Sequence, residues 1–143
     1  MITKGHWTGQ YKYGKETIQK ATGFAGTNFD IEILSIENDN FVGTVKDDLS
    51  TGGTKGIGEI VGKVVGENIE FIKQMPVMTS INKDGTMKTY NKKQRKIYYS
   101  GTFSKDGKSI SGEWRFKFGF VWIGFIPIPI PPTKGIWIMK LKV

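Results

Sequence analysis

Apolar and polar residues alternate along much of this chain, with the period of β-strands and not of helices. The clearest case is the pair of runs Tyr98-Tyr99-Ser100-Gly101-Thr102-Phe103 and Ser109-Ile110-Ser111-Gly112-Glu113-Trp114-Arg115-Phe116. Tyr99, Gly101 and Phe103 share one parity. Ile110, Gly112, Trp114 and Phe116 share another, with Ser111, Glu113, Arg115 and Lys117 on the alternate positions. Successive strand side chains point to opposite faces, so each run has an apolar face and a wet one. Asp106-Gly107 between the runs predicts a tight hairpin turn with both central residues at positive φ.

The same period recurs elsewhere. Trp7-Thr8-Gly9-Gln10-Tyr11-Lys12-Tyr13 carries its aromatic residues on odd positions, and Phe29-Asp30-Ile31-Glu32-Ile33 alternates strictly. Glu37-Asn38-Asp39-Asn40 makes a polar turn into Phe41-Val42-Gly43-Thr44-Val45-Lys46-Asp47. Residues 57–65 form a further strand, closed by Gly66-Glu67-Asn68. Ile69-Glu70-Phe71-Ile72-Lys73-Gln74-Met75 then runs up to Pro76, which cannot donate to a ladder. Residues 16–21 suit a short helical turn. Residues 78–96 are more polar, contain a second turn signal at Asp84-Gly85, and read as a ragged hairpin or long loop. The last run is Ile136-Trp137-Ile138-Met139-Lys140-Leu141-Lys142-Val143. About eight strands, joined mainly by short turns and without a crossover helix, predict an all-β fold. The expected architecture is a single antiparallel up-and-down β-barrel domain spanning residues 1–143, which closes on itself and so leaves no exposed sheet edge. Eight strands enclose room for packed side chains or for one small ligand.

Three strands repeat a glycine between two apolar residues of one face: Phe41-Val42-Gly43-Thr44-Val45, Tyr99-Ser100-Gly101-Thr102-Phe103 and Ile110-Ser111-Gly112-Glu113-Trp114. A bare position there lets a strand coil sharply, or lets a neighbouring ring lie across it. Gly5-His6-Trp7 resembles the Gly-x-Trp opening of lipocalins. The strand rhythm and Gly112-Glu113-Trp114 resemble the wider calycin group, which includes fatty-acid-binding proteins and avidins. The resemblance implies a lipocalin- or streptavidin-like barrel with a small, often apolar ligand inside. Departures limit it: there is no Thr-Asp-Tyr-like second lipocalin motif, and Lys140 stands where an arginine would pack on the first tryptophan. Thr8-Gly9-Gln10-Tyr11 also differs from the Asn and Ser series of avidins. Neither lipocalin function nor biotin binding follows.

Composition narrows the chemistry. The 143 residues hold no cysteine, which excludes disulfides, thiolate metal sites and a cysteine nucleophile. The opening Met-Ile-Thr-Lys-Gly-His-Trp lacks the apolar core of a secretory signal, and with the missing cysteine this makes a cytoplasmic location the expectation. No apolar run reaches the ~20 residues of a membrane-spanning helix. The net charge of +8 favours anionic partners through long-range steering. His6 is the sole histidine, which excludes a multi-histidine metal site and weakens any histidine-base mechanism. Gly52-Gly53-Thr54-Lys55-Gly56 lacks the spacing and following helix of a phosphate loop. No cofactor and no enzyme activity are expected.

Parity places Asp47 on the inward side with Phe41, Gly43 and Val45, and Lys73 inward with Ile69, Phe71 and Met75. Both lie near strand ends. Either they sit in water at the barrel mouth, or they pair inside as a polar clamp in an aromatic cavity. Asp48 points to the opposite face, so Asp47 and Asp48 make a poor glycosidase pair. The candidate ligand-binding set is Trp7, Tyr11, Tyr13, Asp47, Lys73, Tyr99 and Trp114, within an inner-parity set that also holds Phe41, Phe71, Phe103, Phe116 and Trp137. Lys83, Lys88, Lys92, Lys93, Arg95 and Lys96 cluster around Tyr90. Without a nucleic-acid fold signature this reads as a solvated basic loop, and nucleic acid is not an expected partner.

One segment breaks the pattern: Gly119-Phe120-Val121-Trp122-Ile123-Gly124-Phe125-Ile126-Pro127-Ile128-Pro129-Ile130-Pro131-Pro132. Alternating Pro and Ile predict an extended, polyproline-like arm over about residues 119–134. Its Trp122, Phe125, Ile126, Ile128 and Ile130 need cover. A plug over one barrel end or a homo-oligomer contact suits it better than a lipid surface, since the arm has no basic residue before Lys134. The expected function is a non-enzymatic protein holding a small, largely apolar ligand. The alternative is an interaction or oligomerisation module that uses the arm.

Overall fold

The computed structural model describes residues 2–14, 26–81, 87–90, 96–116, 119–130 and 133–142, with the side chains of 78–81, 87–90, 119, 121, 122, 130 and 133 left aside. Strands β1 (Gly5–Tyr13), β2 (Thr27–Glu37), β3 (Asn40–Asp47), β4 (Ile57–Val65), β5 (Asn68–Gln74), β8 (Ile97–Phe103), β9 (Ser109–Phe116) and β12 (Thr133–Leu141) close a barrel. Its order is β1-β12-β9-β8-β5-β4-β3-β2, antiparallel at every step, so the first strand pairs with the last. Two hairpins are inserted: β6 (Met78–Ile81) with β7 (Met87–Tyr90), and β10 (Gly119–Ile123) with β11 (Ile126–Ile130). The expected helical turn at 16–21 and the Asp84-Gly85 turn lie outside the described residues.

The inner parity is the one the alternation predicts. Trp7, Ile31, Phe41, Val45, Ile60, Ile69, Phe71, Tyr99, Ile110, Trp114, Trp137 and Met139 are all buried. Two glycines show why this core needs bare positions. A Cβ on Gly101 would strike the Trp137 ring, and one on Gly135 would strike the Trp114 ring. Each indole thus lies across a glycine of the adjacent region of wall, the close approach that a side chain would block.

The barrel's two ends differ. At one, here the turn end, neighbouring strands are joined by Asn38-Asp39, Gly66-Glu67 and residues 104–108. Asn38 and Asp39 both have positive φ (50° and 66°), which is the type I′ pattern. The 104–108 turn corrects an expectation. Only Gly107 has positive φ there, and the loop is longer than two residues. The Asp106 carboxylate accepts from Ser104 Oγ and from the Lys108 N–H, holding a wider turn. At the loop end the connections are residues 14–26, 48–56, 75–96 and 117–132, so the short turns expected to join most strands are confined to the other end.

β2 also outruns its predicted run. Its register against β3 shifts between Ile33 and Ser35, and past the shift Ile36 is the half-buried residue and Ser35 the exposed one. The larger departure is the Pro-Ile segment. It is not a polyproline arm but a ladder, with Trp122 opposite Pro127 and Phe120 opposite Pro129. In an antiparallel pair only alternate residues face the partner with their N–H. The prolines recur with that same period, so the ladder donors come from Ile126, Ile128 and Ile130.

Candidate functional site

At the loop end the core turns polar. Asp47, the last residue of β3, and Lys73, near the end of β5, form an ion pair of 2.7 Å with both side chains buried. Water at the mouth does not solvate them; each is the other's partner. The strand between them contributes Gly58 at the intermediate level, because β4 pairs Gly58 with Val45 and Ile60 with Lys73. The Tyr11 hydroxyl donates to Asp47 Oδ2 at 3.1 Å, and the Thr54 N–H donates to the same oxygen at 3.1 Å. Lys73 Nζ lies 4.7 Å from the Tyr11 ring centroid and 5.9 Å from that of Phe29. A buried ammonium is thus held by one carboxylate and by the faces of two rings.

The aromatic wall continues from these groups. Tyr11 meets Phe29 and Trp114 at centroid distances of 6.2 and 6.0 Å, and Trp114 meets Tyr13 edge-to-face at 5.4 Å and Phe116 at 6.1 Å. The Trp114 indole N–H donates to the Lys12 carbonyl across the barrel wall at 3.1 Å. Tyr13 and Phe116 are only half-buried. Tyr11, Tyr13, Asp47, Lys73 and Trp114 therefore gather at one end. Tyr99 lies deeper, stacked on Phe71 at 4.6 Å and against Trp137 at 5.5 Å. Trp7 is elsewhere, towards the turn end, where its indole N–H donates to the Thr3 carbonyl. The lone histidine, His6, is exposed beside it.

Residues that the alternation did not single out complete the site. Asp48 caps a single 3₁₀ turn at Leu49–Thr51, its carboxylate accepting from the Ser50 N–H at 3.0 Å, and Gly52 closes the turn in the left-handed region at φ 90°. These hydrogen bonds hold the exposed Asp48 carboxyl below its usual range. Thr27 Oγ1 donates to the Thr51 carbonyl, and the Asn28 N–H donates to Thr51 Oγ1, so the turn is pinned to β2. Asp-x-Ser followed by Gly-Gly carried that signal in the sequence. The turn lies against the barrel through Asp47, whose Cβ would meet any side chain placed at Gly53.

Burial first, and then the charge of Asp47, raise the Tyr11 and Tyr99 phenols well above their ordinary value near 10; Tyr13 shifts the same way for the same reasons. The unfolded chain loses these protons around pH 10 while the fold retains them. Stability is therefore complete below that pH and falls as pH rises through it. Urea midpoints between roughly pH 8 and 11 should drop steadily above about 10, and Tyr99→Phe should lessen the slope. An identical slope in Tyr99→Phe would show that this phenol does not carry the effect.

Among the described residues, the inner-face side chains below the site pack together as one cluster. Clefts of about 710 and 810 Å³ instead open on the outer wall. The side chains of the first face outward from Thr8, Gln10, Asp30, Lys46 and Lys140, and those of the second from Lys63, Glu70, Tyr98, Glu113 and Arg115. Of the basic cluster, Lys96 is exposed, Lys88 lies on β7, and Lys83, Lys92, Lys93 and Arg95 lie outside the described residues. No protein-family model, no curated protein and no solved structure matches this chain.

Proposed function

We propose that the protein is a non-enzymatic binding barrel that takes a small, largely apolar ligand at its loop end. One observation carries this reading: the buried Asp47–Lys73 pair set among Tyr11, Phe29 and Trp114. As a purely structural device such a pair is poor value, because well-packed apolar residues commonly match or exceed its stability. As the polar point of an otherwise aromatic site it follows the usual arrangement of small-molecule pockets, which favour barrel mouths. Half-buried Tyr13 and Phe116 form the accessible wall. The Leu49–Thr51 turn is the cover, since a ligand group that engages Asp47 competes with the Thr54 N–H for the same carboxylate oxygen. The closed eight-stranded antiparallel barrel is consistent with the calycin-like resemblance and supports the same reading.

The probe is 1-anilinonaphthalene-8-sulfonate, aromatic and singly anionic, titrated by its own fluorescence. Saturable binding at one site is expected. Tyr13→Ser at the loop end should weaken it by about tenfold, as removal of a buried ring contact does. Phe103→Ser, half-buried at the turn end, should leave it unchanged. Absence of saturable binding, or equal losses in both variants, would contradict the proposal.

A further inference from the structure

We infer that the β10–β11 hairpin is a wedge that docks the protein on an anionic lipid surface, independently of the ligand site. No residue from Gly119 to Thr133 carries a charge. Residues 123–129 are exposed on both faces of the ladder, and the hairpin forms a sheet of its own, apart from the barrel. Phe125 at the tip is 99% exposed, with Phe120 at 56% and Ile126 at 63%. An element apolar on every side suits immersion in an apolar medium. A partner protein would cover one face and leave the other in water.

The backbone points the same way. Gly124-Phe125 is a two-residue turn, so the flanking pair Ile123 and Ile126 is the hydrogen-bonded one. Counting from it, Pro127 and Pro129 fall on the non-bonded positions, where an N–H would point away from β10. Proline removes those donors from the outer edge of β11. In water that edge protects against strand addition. In hydrocarbon it removes two of the donors that make an open edge costly, on the β11 side of the ladder. Five residues at about 3.3 Å each span roughly the depth of one leaflet of a ~30 Å hydrocarbon core. No helix among the described residues is long and apolar enough to cross a membrane, so the contact proposed is peripheral.

Charge selects the kind of surface. At the foot of the hairpin Arg115 and Lys134 are register partners on β9 and β12, and both are exposed. An apolar tip with cations at its base matches the depth profile of an anionic bilayer, with the tip among acyl chains and the cations among headgroups. The sequence alone favours a second copy over lipid, because the segment has no basic residue before Lys134. With Arg115 paired beside Lys134 the foot is basic, and a second copy would bring two +8 molecules together there.

The test is flotation of the full chain with phosphatidylcholine vesicles, with or without phosphatidylglycerol. Binding is expected to the mixed vesicles and to decline in high salt. Phe125→Asp should lower it by at least about tenfold. Arg115→Gln and Lys134→Gln should each lower it about fivefold, and only on the anionic vesicles. Ile57→Asp, at an equally exposed isoleucine on the barrel wall, should change nothing. Failure to float, or unchanged binding by Phe125→Asp, would overturn the inference. So would a dimer seen by light scattering that Phe125→Asp dissolves while the parent chain ignores both vesicles, which would assign the hairpin to a second copy.

Discussion

Trp114→Ala is expected to cost about 3–5 kcal/mol, enough to unfold or severely weaken a domain whose total stability is ~5–15 kcal/mol. Trp114 is 2% exposed, and its ring touches Tyr11, Tyr13 and Phe116 while lying over Gly135. Truncation removes those ring contacts, opens a cavity beside a glycine that cannot fill it, and deletes the indole hydrogen bond to the Lys12 carbonyl. Register multiplies the effect. Trp114 pairs with Tyr99 on β8 and with Gly135 on β12, and a one-residue slip of β9 would turn the whole face outward. Glu113→Ala, one residue away on the exposed face, should change stability by less than about 0.5 kcal/mol. Urea midpoints of the two variants separate the cases; similar values would mean that the inner face is wrongly assigned.

Lys73→Met is expected to cost nearly as much, about 3–5 kcal/mol, because it leaves the Asp47 carboxylate buried without a counter-charge. Adding Asp47→Asn should restore much of the loss. The amide oxygen of Asn can still accept from the Tyr11 hydroxyl and the Thr54 N–H, while the uncompensated charge is gone. The double variant should therefore be more stable than Lys73→Met alone, an inversion of the usual accumulation of damage. If the two changes simply add, the pair acts through packing and not through charge compensation.

The alternation made the wall legible where a strand sets mainly polar residues against one apolar parity, as β3, β5 and β9 do. It did so less in β4 and β12, whose outer faces also carry Ile57, Val61, Ile136 and Ile138. Phe41, Val45, Phe71 and Tyr99 could be assigned inward from their own strands without knowing their neighbours. Asp47 and Lys73 were legible as inward-pointing for the same reason. Their partnership was one of two readings, and the choice between pairing and solvation at the mouth depends on how β3, β4 and β5 align. The Leu49–Thr51 turn was hidden by a similar dependence, since its anchor points Thr27 and Asn28 belong to β2. The Pro-Ile segment failed in the other direction. Proline breaks a ladder where its N–H is needed, but proline at every second position spares the donors that a two-stranded ladder uses. At residues 104–108 the Asp-Gly signal named the place of the turn correctly. The carboxylate of Asp106 then set a different shape, by bonding Ser104 and Lys108.

The loop-end site can be located directly by following backbone amide and tryptophan indole protons by NMR while 1-anilinonaphthalene-8-sulfonate is added. The largest shifts should fall on the Thr54 amide, the Trp114 indole and the amides of Tyr11, Tyr13 and Lys73. Shifts confined to residues 120–128 of the hairpin, or to the turn-end amides of Gly66 and Gly107, would contradict a ligand site at the Asp47–Lys73 pair.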